Sequence, residues 1–162
     1  MPFMGIFYCL SIFTAYITHM EKALVSSCLL GQPCRWDGEK INTDLSDRFK
    51  DIEIFSICPE MDAGMPSPRS RAEIDAGDGS AVLDGASSVT DSEGHNVTAT
   101  FLRGAQHALN LSLTNNITKA ILKDKSPSCG VNRIYVKGKL VKGMGVTAAL
   151  LYRHKLEIHS II

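Results

Sequence analysis

Three of the five cysteines in this 162-residue chain occupy positions from which they could bind a metal together. Cys28, Cys58 and Cys129 each follow a short apolar run, at or just beyond its end. Thiolates are preferred ligands of soft metals, so three thiolates at equivalent positions predict a metal centre. Structural zinc sites usually take ligand pairs of the C-x₂-C type, which this sequence lacks. Iron–sulfur clusters accept widely spaced cysteines, and three ligands leave one iron of a [4Fe-4S] cluster open to bind a substrate atom.

Two other uses of these thiols stay open at this point. Free cysteines are among the most buried residue types, so each of the three could pack in the core without a ligand. Cys34, with five residues between it and Cys28, could instead supply the fourth ligand of a closed zinc site. Such a protein would be a metal-binding sensor or scaffold, because a closed site leaves no open position for a substrate.

Two charged residues downstream of Cys58 are candidates for contact with a substrate. Pro59 stiffens the turn after Cys58 and leaves Glu60 as the first titratable group beside the predicted centre. A carboxylate there could act as a general acid or base, and we assign Glu60 to catalysis. Arg69 could dock a substrate carbonyl or offset the negative charge of a thiolate-bound cluster, and we assign it to substrate binding. Both could equally be ordinary solvated charges.

Two serines precede Cys129 in the segment SPSCG, residues 126–130. Ser126 and Ser128 present hydroxyls, and Gly130 lets backbone approach the cysteine closely. Hydroxyls and N–H groups in this segment could hydrogen-bond the sulfides of a cluster or a bound substrate. We assign Ser128 to catalysis and Ser126 to substrate binding.

The segments that must position these residues alternate between strands and helices. Four short apolar runs are typical of buried strands: 23–27, 52–57, 119–122 and 156–162. Apolar residues at a 3.6-residue period predict a helix over 98–115, with Thr98 as its N-cap. A second helix is predicted over 146–154. A short helix over 42–50 would turn Leu45 and Phe49 inward.

This alternation predicts a single compact α/β domain with a mostly parallel, Rossmann-like sheet and helices on both faces. The carboxyl ends of parallel strands share one edge, where ligands bind, so the three cysteines should converge there. The segment 62–96, rich in Gly, Asp, Ser and Pro, breaks the alternation as a hairpin-rich insertion. Within it, residues 86–90 and 96–97 are predicted to pair across a turn. A second hairpin is predicted over 134–141.

Composition separates residues 1–19 from the rest of the chain. They contain no Lys, Arg, Asp or Glu, and thirteen of the nineteen are apolar. A secretory signal needs a basic start and a cleavage site, and a membrane anchor needs about 20 apolar residues, so neither pattern is met. We expect the folded domain to cover residues 20–162, beginning at Met20, in a reducing cytoplasm without membrane contact. Zero formal net charge argues against a strongly basic nucleic-acid binder, although a local basic patch is compatible with it.

At these motifs the chain resembles the thiouracil desulfurase family. The resemblance covers residues 21–160, and its main motifs are Val25–Gly31 (VSSCLLG), Cys34–Gly38 (CRWDG), Cys58–Glu60 (CPE), Pro66–Ile74 (PSPRSRAEI), Ser126–Gly130 (SPSCG) and Gly145–Leu151 (GVTAALL). It implies a compact α/β fold with one [4Fe-4S] cluster bound by Cys28, Cys58 and Cys129. It also implies non-redox removal of sulfur from a thiolated pyrimidine such as 2-thiouracil, giving uracil and sulfide. Glu60 would activate water or move a proton.

The resemblance also brings an alternative substrate class. Larger relatives in the family act on thiolated uridines in tRNA, and they carry an additional domain. We expect no such domain in this chain, and its neutral charge does not favour RNA binding. The predicted partner is therefore a small thiolated pyrimidine rather than a nucleic acid.

Overall fold

Two four-stranded sheets form the framework of residues 20–42 and 45–161, which this computed structural model describes. The strands are β1 (Glu21–Ser26), β2 (Ile52–Ile57), β3 (Ala72–Ile74), β4 (Val89–Asp91), β5 (Lys119–Lys123), β6 (Arg133–Val136), β7 (Lys139–Lys142) and β8 (Glu157–Ile161). The α-helices are α1 (Pro59–Asp62), α2 (Gly79–Leu83), α3 (Thr98–Thr114) and α4 (Val146–Arg153), and 3₁₀ helices span Ser27–Leu30 and Ser46–Phe49. The prediction that residues 1–19 stand apart from the domain falls outside the described residues.

Sheet A is entirely parallel, with the strand order β2-β1-β5-β8. Alternate residues of its strands face opposite sides, as the two-residue period of a strand requires. Leu24 and Leu122 pack on one side against α3 and α4. Val25 and Ile121 pack on the other side with Phe49 and the two 3₁₀ segments. These observations confirm the predicted α/β class with its mostly parallel sheet.

Sheet B is mixed, and its strand order is β4-β3-β6-β7. The hairpin predicted over 134–141 is confirmed as the antiparallel pair β6 and β7. The hairpin predicted in the insertion is confirmed in part, because Thr90 bridges Asn96 but β4 pairs mainly with β3. Strand β3 was not predicted, and it joins the two hairpins into one sheet by pairing in parallel with β6 through Ile74 and Val136.

Helix α3 connects the cores of both sheets. Phe101, near its beginning, packs against sheet B, and Leu109, further along, packs against sheet A. The period of its apolar residues predicted this helix to within one residue of its observed end. The predicted N-cap was wrong, because Val97 occupies that position. The hydroxyl of Thr98 instead accepts a hydrogen bond from the backbone N–H of Val89 at 2.9 Å and ties the helix to β4.

Helix α4 is one residue shorter than predicted, whereas α1 and α2 were not predicted. Of the segment 42–50, for which a short helix was predicted, Ser46–Phe49 forms a single 3₁₀ turn. Leu45 and Phe49 are buried, as predicted. Among the described helices, none combines the length and the apolar character needed to cross a membrane.

Candidate active site

The loops that follow β1, β2 and β5 meet at one edge of sheet A, as predicted. Cys28 lies in the 3₁₀ turn after β1, Cys58 directly follows β2, and Cys129 lies in the loop after β5. All three, together with Cys34, line one cavity of about 330 Å³. The topology explains this convergence, because β1 lies between β2 and β5 and runs in the same direction as both.

The surroundings of Cys34, Cys58 and Cys129 favour the protonated form of their thiols. The Cys34 thiol lies against those of Cys28 and Cys58, and its pKa is raised to about 11, chiefly by its hydrogen bond with Cys28. Hydrogen bonding with Cys34 and burial raise the pKa of Cys58 well above its usual range. Burial raises the pKa of Cys129 to about 12. Metal binding at these thiols must therefore displace protons.

The serines that precede Cys129 hold its loop in place. Ser126 Oγ accepts hydrogen bonds from the backbone N–H of Ser128 at 3.1 Å and of Cys129 at 3.0 Å. Ser126 lines the cavity, and its hydroxyl keeps a proton to donate. Ser128 is buried, and its hydroxyl pairs with that of Thr147 in α4 at 2.9 Å. Ser128 is not among the described residues that line the cavity. Its predicted catalytic role stays a prediction.

A buried carboxylate closes the base of the same loop. Asp124 directly follows β5 and is 4% exposed. Its Oδ1 accepts hydrogen bonds from the backbone N–H of Val131 and Asn132 at 3.0 Å and of Arg133 at 3.2 Å. Burial alone would raise the pKa of Asp124, but these backbone N–H groups together hold it below its usual value. The charged carboxylate thereby joins the end of β5 in sheet A to the start of β6 in sheet B.

Helices α3 and α4 contact two of the cysteine loops at glycines. At Gly104 in α3, a Cβ would lie 2.1 Å from the carbonyl oxygen of Pro59, the residue that follows Cys58. At Gly145, the N-cap of α4, a Cβ would lie 2.4 Å from the carbonyl oxygen of Ser128. Because real Cβ atoms do not approach backbone this closely, only glycine lets the loops rest directly on the helices.

A buried ion pair joins Glu60 and Arg69 at the cavity wall. The side chain of Glu60, in the first turn of α1, is 13% exposed, and that of Arg69 is 5% exposed. Arg69 Nε and Nη2 contact Glu60 Oε2 at 2.7 and 2.6 Å. Among the described residues, Glu60 Oε1 has no hydrogen-bond partner, which leaves one carboxylate oxygen for a bound molecule.

The third nitrogen of the Arg69 guanidinium binds backbone. Nη1 donates to the carbonyl oxygen of Cys34 at 3.1 Å and to that of Pro66 at 3.0 Å. All three guanidinium nitrogens are therefore engaged within the protein. The substrate contact predicted for Arg69 stays a prediction that these bonds do not favour.

Two further side chains, Lys123 and Tyr135, line the cavity, and neither was predicted to belong to the site. Lys123 ends β5, and its ammonium donates to the carbonyl oxygen of Asp124 at 2.9 Å. Burial lowers the pKa of Lys123. Tyr135 reaches the cavity from sheet B, and Arg71 stacks on its ring at 4.2 Å from the centroid. A lysine at the end of an apolar strand was a usable signal, whereas nothing local to Tyr135 indicates where sheet B lies.

Cys28, Cys58 and Cys129 face a shared cavity from three loops, an arrangement that suits the body of an iron–sulfur cluster. Among the described residues, no group of three or more His, Cys, Asp or Glu side chains is arranged to hold a single metal ion.

Known proteins resemble this chain over most of its length. A family model described as 2-thiouracil desulfurase matches residues 23–161. YbbK of Bacillus subtilis (strain 168), described as uncharacterized, is 39% identical over 132 residues, which make up 79% of this chain and 87% of YbbK. A solved structure described as the [4Fe-4S]-dependent thiouracil desulfidase TudS is 40% identical with a TM-score of 0.73, and the match covers 86% of this chain and 90% of TudS. The chain therefore belongs to the 2-thiouracil desulfurase family.

Proposed function

We propose that this chain is a [4Fe-4S]-dependent desulfurase that hydrolyses the C=S bond of a thiolated pyrimidine such as 2-thiouracil. Water supplies the oxygen of the new C=O bond and the sulfur leaves as hydrogen sulfide, so no electrons are transferred overall. Membership of the family and likeness to TudS support both the reaction and the cofactor. The observation that carries the assignment to this cavity is the set of three thiols on neighbouring loops beside the Glu60 carboxylate, one oxygen of which has no partner among the residues the structure describes.

Cys28, Cys58 and Cys129 are the cluster ligands in this proposal. They come from the three loops at the sheet edge, and the thiols of Cys58 and Cys129, whose pKa values are raised, must lose a proton when metal binds. A bound cluster would supply an open iron that acts as a Lewis acid toward the thiocarbonyl sulfur and so makes the ring carbon electrophilic. We assign Cys34, which lines the cavity, to its wall, because three cysteine ligands leave one iron of the cluster open.

Glu60 is the general base and proton carrier in this proposal. Arg69 holds one carboxylate oxygen, so the other oxygen has a fixed position from which it can take a proton from attacking water. A fixed carboxylate does not have to be ordered again in the transition state, which is the advantage of preorganisation. The hydroxyl of Ser126 can donate to a heteroatom of the pyrimidine ring, because the two bonds it already makes use its oxygen as acceptor.

The first test of the cofactor is metal content. On the full chain reconstituted without oxygen, we expect about four iron and about four acid-labile sulfide per chain. Cys34→Ser should keep that iron content, whereas Cys129→Ser should lose most of it. Zinc in place of iron, or loss of iron from the Cys34 variant, would exclude the open-iron site.

The second test separates Glu60 from the cofactor. Glu60→Gln should keep the iron content and release uracil and sulfide from 2-thiouracil on the order of 10²–10⁴-fold more slowly, because the amide cannot accept the proton. Glu157→Gln is the matched control, since its carboxylate is 66% exposed in β8. Full activity in the Glu60 variant would remove Glu60 from the mechanism.

A further inference from the structure

We infer that Arg69 is a positioning residue that locks two walls of the cavity together, and that it does not bind the substrate. One wall is the loop that carries Cys34, and the other is the helical turn that carries Glu60. The inference deepens the proposed function and rests on it for the role of Glu60. It assigns Arg69 a task that differs from the substrate contact predicted for it.

The first observation is the way in which Arg69 divides its donors. Two nitrogens contact one oxygen of Glu60, at 2.7 and 2.6 Å, and the third contacts the carbonyl oxygen of Cys34 at 3.1 Å. A planar guanidinium presents these donors at fixed angles, so it sets the position of the carboxylate relative to the loop. Arg69 lines the cavity, but its side chain is 5% exposed and each of its three guanidinium nitrogens already has a partner within the protein.

The second observation is that the backbone around Arg69 also holds the Cys34 loop. The backbone N–H of Arg69 donates to the carbonyl oxygen of Trp36 at 2.8 Å. Ser67 Oγ lies 2.7 Å from the carbonyl oxygen of Pro33 and 2.9 Å from that of Arg35, so its single proton is shared between these two acceptors. Segment 66–69 therefore forms a strap along the loop, and we use the name Arg69 strap for these four residues.

The third observation is the closeness of Cys34 to the proposed ligands. The Cys34 thiol contacts those of Cys28 and Cys58, and the Cys58 thiol donates to the carbonyl oxygen of Cys34 at 3.6 Å. A shift of the Cys34 loop would therefore disturb Cys58 directly. Arg69 therefore acts on Glu60 through their direct ion pair and on Cys58 through the carbonyl group of Cys34, which both side chains contact.

The test compares Arg69→Gln, Arg69→Lys and Ser67→Ala with the unchanged full chain. The first readout is the rate at which iodoacetamide labels Cys34, followed by peptide mass spectrometry on reconstituted and on cluster-free protein. Arg69→Gln should raise this rate roughly tenfold or more, because the loop opens without its strap. Arg69→Lys should not restore protection, because an ammonium cannot make the forked contact. Arg153→Gln is the control, since Arg153 makes a similar paired contact with Asp84 on the surface.

The second readout is the split between kcat and KM for 2-thiouracil. Arg69→Gln should lower kcat on the order of 10²-fold, as expected for a misplaced catalytic group, while KM changes little. When Arg69→Gln is combined with Glu60→Gln, kcat should fall no further than in Glu60→Gln alone, because the effects of substituting two residues that act together do not add. Ser67→Ala loosens the strap but leaves the ion pair intact. It should therefore raise Cys34 labelling with a smaller loss of kcat, and it tests the strap even where Arg69→Gln fails to fold.

Two results would overturn the inference. A raised KM with unchanged kcat in Arg69→Gln would make Arg69 a substrate contact. Unchanged Cys34 labelling in both Arg69→Gln and Ser67→Ala would show that the strap does not hold the loop. Failure of the proposed function gives a different pattern: the unchanged chain would release no sulfide, while the labelling comparison on cluster-free protein would still decide the role of the strap.

Discussion

Replacing Asp124 by Asn is expected to destabilise the fold by about 3 kcal/mol, although side-chain shape is conserved. The amide oxygen can still accept from Val131, Asn132 and Arg133, but it no longer carries a charge. Hydrogen bonds to charged groups are worth about 1.5–3 kcal/mol against about 0.5–1.5 for neutral ones, so each of the three bonds loses roughly 1 kcal/mol. Because Asp124 is 4% exposed, solvent does little to compensate for this loss.

The pH dependence of this difference has a definite sign. The folded-state pKa of Asp124 lies below its ordinary value of 3.8 because the backbone N–H bonds outweigh burial. A depressed carboxyl pKa contributes stability that is fully present above the unfolded-state pKa and is lost as pH falls through the folded-state value. The difference in the free energy of unfolding between the unchanged chain and Asp124→Asn should therefore be constant from neutral pH down to about pH 5. It should shrink below about pH 4.

Urea unfolding followed by circular dichroism measures this gap. The control is Asp47→Asn, because the side chain of Asp47 is 89% exposed and its contact with Lys50 lies on the surface. That variant should change the free energy of unfolding by less than about 0.5 kcal/mol. Equal losses in the two variants, or a gap that widens toward acid pH, would contradict the role given to the Asp124 carboxylate.

Two further substitutions test the packing behind the site. Gly104→Ala places a methyl group against the Pro59 carbonyl, so we expect a loss of roughly 1–3 kcal/mol in urea unfolding together with reduced iron retention. Unchanged stability and iron content would mean that α3 does not set the position of the loop after β2. Phe101→Ala empties a fully buried position between α3 and sheet B, and it should cost about 3–5 kcal/mol by the same measurement. A loss below about 1 kcal/mol would show that this core is not packed as described.

Local patterns predicted the elements of sheet A well. Strand β2 begins and ends at the predicted residues, Ile52 and Ile57, because a β-branched and aromatic run is bounded there by polar residues and Pro59. Helix α3 was predictable because a 3.6-residue period over more than four turns is a strong signal. Sheet B was not, since β3 is three residues long and pairs with β6 through Ile74 and Val136 alone. The local sequence around Ile74 or Val136 does not predict this pairing, because the two residues are far apart in the chain.

The candidate site shows the same division. The approach of the cysteines to one cavity was predictable, because each follows a strand of a parallel sheet and such loops share an edge. The directions of side chains within loops were not. Ser126 and Ser128 are two residues apart, and the turn geometry sends one hydroxyl to the cavity wall and the other to Thr147. The pairing of Arg69 with Glu60 likewise depends on how the segment that carries Arg69 packs against helix α1.

The sequence distances between the cysteines affect how strongly a bound cluster would stabilise the folded chain. Cys28 and Cys58 are 30 residues apart, and Cys58 and Cys129 are 71 residues apart. A cluster held by all three cysteines would close two long loops of the chain. A covalent cross-link that closes one loop of such length lowers the entropy of the unfolded chain, which stabilises the fold by on the order of 3–5 kcal/mol. Because a ligand that binds only the folded chain raises stability with its own concentration, iron supply would govern how much folded protein persists. Iron starvation would then reduce the amount of this protein as well as its turnover.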